Sequence, residues 1–97
     1  MIKADLHIHS NFSDGSDDLK SLISKIKSAG INIFALTDHD TIRGCKEMMA
    51  LVPSDIKFIP SIELTSKTDT VKCHILGYNC NPDNDELNSL IEKGKLL

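Results

Sequence analysis

The sequence predicts an α/β domain built on a parallel or barrel-like sheet. Three observations predict it. Short apolar runs alternate with amphipathic stretches of helical period. Histidines and carboxylates gather just after those runs, where sheets of this class present their sites. No repeat, low-complexity tract or linker breaks the alternation. A chain of 97 residues has room for one core and little stability to spare.

Ile2 to His7 reads as the first strand, and the polar stretch Ser10 to Ser16 behind it carries the turn signal Asp14-Gly15. With Ser16 or Asp17 as N-cap, Leu19, Leu22, Ile23, Ile26 and Ala29 recur at helical spacing, and Gly30 stands where a helix C′ residue belongs. Ile31 to Leu36 forms a second strand, followed by Thr37-Asp38-His39-Asp40-Thr41 and a helix with Met48, Met49, Leu51 and Val52 that Pro53 ends. Lys57 to Ile62 is a third strand finishing at Glu63. Val71 to Tyr78 is a fourth, with His74 inside it, and the polar turn Ser66 to Thr70 between them predicts a hairpin. Asp85 to Lys93 resembles a last helix, with Leu87, Leu90 and Ile91 on one face, Gly94 as its stop, and an apolar Leu96-Leu97 end that looks cut off from something.

Hydrophobic residues at 40% and charged residues at 26% are ordinary for a globular protein and exclude a disordered or fibrous chain. A net charge of −3 leaves no broad positive field for nucleic acid or an anionic membrane, so an anionic substrate must be captured at a local site, where a few cations would reverse the sign. Cys45, Cys73 and Cys80 form an odd set without CxxC spacing, which reads as reduced thiols rather than a disulfide framework. A charge and a histidine lie within the first seven residues, and no apolar run approaches the ~20 residues of a membrane span. The expectation is a cytoplasmic protein.

In Asp5-Leu6-His7-Ile8-His9, strand periodicity puts His7 and His9 on one face, where two imidazoles can meet one cation. An ordinary pair of strand-end histidines is the alternative. His39 lies between Asp38 and Asp40, carboxylates that can fix its tautomer and raise its basicity, although a solvated loop would look the same. Glu63, directly after an apolar strand, has two oxygens and can bridge two metals, or be a surface charge. His74 reads equally as a core histidine, and Asp14 as a turn former beside Gly15. Arg43, the only arginine, is either a helix surface residue or a planar fork for a substrate phosphate.

Asp5-Leu6-His7-Ile8-His9-Ser10, Ser13-Asp14-Gly15, Ala35-Leu36-Thr37-Asp38-His39-Asp40, the strand ending in Glu63, and His74-Ile75-Leu76-Gly77-Tyr78 resemble, in order and spacing, the N-terminal motifs of the polymerase-and-histidinol-phosphatase (PHP) family. The resemblance covers nearly the whole chain. It implies a partial distorted (βα) barrel truncated after about four strands, with residues 1–97 as the N-terminal part of a single domain whose C-terminal part is absent. It implies two or three divalent ions, zinc, manganese or iron. His7 and His9 would hold one, Glu63 would bridge it to a second on His74, and Asp14 and His39 would hold a third. Asp5, Asp38 and Asp40 would orient histidines.

The chemistry so implied is hydrolysis of phosphate esters by a metal-activated water, with His39 or Asp38 protonating the leaving group. Among family members the motifs are most similar to stand-alone enzymes acting on nucleotides or short RNA. A histidinol-phosphate phosphatase and a non-catalytic metal-binding module are the alternatives. A truncated barrel would expose sheet edges, which favours self-association.

Overall fold

The structure, a computed structural model, describes residues 2–67 and 70–95. Along the chain run β1 (Ala4–Ile8), α1 (Leu19–Ser28), β2 (Ile33–Leu36), α2 (Arg43–Leu51), β3 (Lys57–Lys67), β4 (Lys72–Tyr78) and α3 (Asp85–Lys95). The strands form one sheet in the order β1-β2-β3-β4. β1, β2 and β3 pair in parallel through two βα crossovers, and β4 returns antiparallel as the predicted hairpin. Residues 68–69, inside the expected turn, and the Leu96-Leu97 end lie outside the described residues.

Local chemistry accounts for the helix ends. Asp18, one residue later than expected, is the N-cap of α1 and accepts the Ser21 amide at 2.8 Å. The bonds from Ser21 hold its carboxyl below the usual range. Gly30 follows the helix at φ +71°, the left-handed conformation for which glycine is suited. Val52 is extended ahead of Pro53, which stops α2. Gly94 does not stop α3, which runs through it to Lys95, a glycine near a helix end being only mildly unfavourable.

The apolar stripes of α1 (Leu19, Leu22, Ile26) and α2 (Cys45, Met48) pack over Phe34 and Leu36 of β2 and Ile62 of β3, and Ile91 of α3 closes the same cluster. Phe34 meets Phe58 with ring centroids 5.0 Å apart. Within this core Cys45 Sγ lies 3.1 Å from the Ser61 carbonyl and 3.4 Å from that of Leu36, and burial pushes its thiol up to about 12. It is an inert packing residue, whereas Cys73 is exposed.

Two corrections to the strand pattern bear on the site. β3 does not finish at Glu63. It is 11 residues long, pairing with β2 over Lys57–Pro60 and then with β4 over Ser61–Lys67, so Glu63 sits in mid-strand where the partner has just changed. The second departure is in β1, where the register slips between Asp5 and Ile8, the mark of a bulge that re-aims side chains. The sheet curls into a half-barrel. Tyr78 Oη on β4 donates to the Leu6 carbonyl on β1 at 2.9 Å, joining the two edge strands. Among the described residues no helix is long and apolar enough to cross a membrane.

Candidate metal centre

The centre is assembled where the ends of β1 and β2 meet the middle of β3. Beyond β2, the Asp38 carbonyl accepts the Glu63 amide at 3.1 Å and the Asp40 amide donates to the Glu63 carbonyl at 2.9 Å, a parallel bridge that sets His39 beside Glu63. Asp40 takes a left-handed φ of 53° to do so, and its Oδ1 accepts the Thr65 amide at 2.8 Å. Aspartate tolerates that conformation better than most residues. From β4, Thr65↔His74 is the register pair that brings His74 alongside.

Glu63 is the hub. Its Oε1 lies 2.7 Å from His7 Nε2 and 3.0 Å from His9 Nε2, and its Oε2 lies 2.6 Å from His74 Nδ1 and 3.5 Å from His39 Nδ1. Asp14 closes the circuit, with Oδ1 2.7 Å from His9 Nδ1 and Oδ2 3.3 Å from His39 Nε2. Burial raises the Glu63 carboxyl, but hydrogen bonds from His7, His74 and His9 and the charge of His39 outweigh it and hold it below the usual carboxylate range. Asp14 is held low in the same way, burial being outweighed by the His9 hydrogen bond and the charges of His9 and His39.

All six expected ligands are brought together: His7, His9 and Glu63 in one group, His39, Glu63 and His74 in a second, His9, Asp14 and His39 in a third, the ligand atoms of each lying within 4.8 Å of one another. This donor set fits divalent zinc, manganese or iron, for which imidazole and carboxylate are the common ligands. A neutral imidazole has one lone pair, so His9 and His39 each serve one ion at a time, while Glu63 with two oxygens serves two.

The remaining candidates stand elsewhere. Asp38 was expected to orient a histidine or pass a proton. It is 2% exposed, and its oxygens accept from the Ser10 amide, Ser10 Oγ and Ser13 Oγ at 2.6, 2.7 and 2.8 Å. Its side-chain bonds thus go to two serines rather than to a histidine. Asp40 likewise holds a backbone amide rather than a ring. Asp5 accepts the His7 amide at 3.2 Å and steadies that residue through its main chain. Arg43 begins α2 and lines a shallow cleft with Lys46, Pro82 and Asp83. Ser10, Ser13 and Gly44 were not singled out as site residues, although a serine directly after His9 was a signal for a hydroxyl facing a neighbouring carboxylate.

Gly15 is required by contact. A Cβ there would lie 2.5 Å from the His9 carbonyl oxygen and 2.9 Å from that of Ser10, both backbone atoms that cannot swing aside. Gly15→Ala is expected to displace the loop, costing about 1–3 kcal/mol by overpacking, and to draw Asp14 off His9. Denaturant unfolding and metal titration of the variant check this. Wild-type values in both would contradict it.

A model of the PHP domain family matches residues 5–93. The chain belongs to the PHP domain family. A 5′-3′ exoribonuclease of Haemophilus influenzae is 33% identical over 96 residues, covering 98% of this chain and 35% of the relative. A 3′,5′-nucleoside bisphosphate phosphatase of Chromobacterium violaceum is 31% identical over 83 residues, covering 84% of this chain and 29% of the relative. Among solved structures, an amidohydrolase from Chromobacterium violaceum with bound sulfate and no metal superposes with a TM-score of 0.86 at 28% identity, over 94% of this chain and 32% of that one. The PHP chain described here thus spans about a third of the length of these relatives, and its four-stranded half-barrel is the corresponding part of their fold.

Proposed function

We propose that this PHP chain contributes a metal centre of two or three ions to the hydrolysis of a nucleotide-type phosphate ester. The observation that carries the proposal is the convergence of four imidazoles on the two oxygens of one buried glutamate, with Asp14 spanning two of the same rings. His7, His9 and Glu63 would hold one ion, Glu63 and His74 a second, and Asp14 and His39 a third. Divalent ions held there supply Lewis-acid polarisation of a phosphoryl group and lower the pKa of a water toward neutrality. The protein's share is to keep six donors in place and to lend the negative charge of Glu63 and Asp14 that favours cations.

In the two-ion form of the centre, where no third ion takes its lone pair, His39 is the candidate proton donor, since it lies between Asp14 and Glu63 and is only partly exposed. Arg43, at the start of α2, is the candidate phosphate contact. The nucleotide class is supported by relatives named as a 5′-3′ exoribonuclease and a 3′,5′-nucleoside bisphosphate phosphatase. Leu6, Ile75, Leu76 and Tyr78, exposed on the edge strands, support self-association as a property of this piece of barrel.

The test is elemental analysis of protein purified without added metal, beside a His7→Ala/His9→Ala double variant, followed by assays on a nucleoside 3′,5′-bisphosphate, a 5′-phosphorylated oligoribonucleotide and histidinol phosphate. Two or more equivalents of transition metal, reduced in the variant, are expected. Preference for the nucleotide substrates would support the class, and preference for histidinol phosphate would replace it. A protein that neither carries nor takes up metal would sink the proposal.

A further inference from the structure

We propose that Asp38 is a positioning residue of the metal centre, whose buried carboxylate locks the Ser10–Gly15 loop and thereby sets Asp14 against His9 and His39. The inference rests on the metal-centre reading above and assigns to Asp38 a part that no ligand role supplies.

The linkage is continuous. Ser10 is fully buried, and both its amide and its hydroxyl donate to Asp38, so the chain just after His9 is held at two points. The Ser10 carbonyl then accepts the Ser13 amide at 3.1 Å and the Gly15 amide at 2.9 Å, which folds the loop back on itself around Asp14. Ser13 Oγ stands between two carboxylates, 2.8 Å from Asp38 Oδ1 and 3.3 Å from Asp14 Oδ1. A hydroxyl has one proton, and the shorter contact takes it. Asp14 Oδ1 is thereby left to His9.

The opposite wall is equally specific. A Cβ on Gly44 would lie 2.8 Å from Asp38 Oδ2, so the first turn of α2 approaches the carboxylate only because that residue is glycine. Through its carbonyl, Asp38 also accepts the Glu63 amide. One residue therefore ties the loop bearing Asp14 to the strand bearing Glu63. A plain stabilising role would predict that losing Asp38 weakens the fold without preference among the metal positions. A positioning role predicts a selective loss.

The experiment is manganese and zinc titration, by calorimetry, of the wild-type chain, Asp38→Asn, Ser13→Ala, Asp14→Asn and the Asp38→Asn/Asp14→Asn double variant. Asp38→Asn is expected to weaken the position that Asp14 serves by about tenfold to a hundredfold, the usual cost of losing a group that orients a ligand, and to leave the Glu63–His74 position, which holds no residue of that loop, unchanged. Ser13→Ala should move the same position in the same direction by less, and it carries the test if Asp38→Asn does not fold. In the double variant the Asp38 change should add nothing to the loss from Asp14→Asn, because both act through one carboxylate. Wild-type affinities in Asp38→Asn and Ser13→Ala, additive losses in the double variant, or equal weakening of every position would overturn the inference while leaving the metal centre standing. A wild-type chain that binds neither ion would instead remove the metal-centre reading, and this inference with it.

Discussion

Glu63→Gln is expected to abolish metal binding at the positions that share Glu63 and to lower any phosphoester hydrolysis by about a thousandfold. Glutamine has nearly the same size, so the backbone bridge to Asp38 and Asp40 should survive. What changes is chemistry. A carboxylate presents acceptors on both oxygens to His7, His9, His39 and His74, whereas an amide presents one acceptor and one donor and carries no charge. Metal ions in such sites supply several kcal/mol of charge stabilisation, and at about 1.4 kcal/mol per tenfold that is on the order of a thousandfold in rate. Elemental analysis of the variant decides the first part, and wild-type stoichiometry would refute it.

The same substitution has a signature in the metal-free protein. Folding depresses the carboxyls of Glu63 and Asp14, so each contributes stability that is fully present above its unfolded value and is lost as pH falls through its depressed folded value. Stability of the apo protein should therefore fall on the acid side, below the ordinary carboxylate range. Glu63→Gln should make that fall shallower, since only the shares of Asp14 and Asp18 remain. Urea titrations across the acid range read this directly, and an unchanged slope would show that Glu63 is not the titrating group.

The order of elements was legible because each carries its own local signal: period 3.6 in α1, Pro53 after α2, turn residues before β4. The grouping of His7, His9, Asp14, His39, Glu63 and His74 was legible for a different reason, since histidines and carboxylates at strand ends are conspicuous once several motifs agree. The curl of β3 was not. Nothing local in Ser61-Ile62-Glu63-Leu64 states that the strand changes partner there, because pairing is decided by what the rest of the sheet offers. The anchoring contacts of Asp38 were not legible for a related reason. Its partners Ser10 and Ser13 lie 28 and 25 residues away, and burial, which turns a loop aspartate into an anchor, is a property of the packed structure. Gly44 shows the same limit: its need to be glycine comes from a carboxylate six residues earlier, across a turn that sequence spacing does not measure.

Phe34→Ala should separate the fold from the site. Phe34 is 1% exposed, meets the tilted ring of Phe58 and packs with α1 and α2, so truncation removes a large buried ring from a small core. The expected cost is about 3–5 kcal/mol, a large share of the roughly 5–15 kcal/mol that holds a typical domain. Ions that bind only the folded state restore part of it, about 2.7 kcal/mol when the free ion is at a hundred times its Kd. The cluster that surrounds Phe34 is apolar, whereas β2 leads directly into Asp38 and His39. If the two are energetically independent, the metal-induced increment should be the same in Phe34→Ala as in the wild type, to within about 0.5 kcal/mol. Urea unfolding of both proteins, with and without manganese, measures the two increments. A smaller increment in the variant would mean that the core under β2 holds the ligands in place as well as the fold, and that loosening one loosens the other.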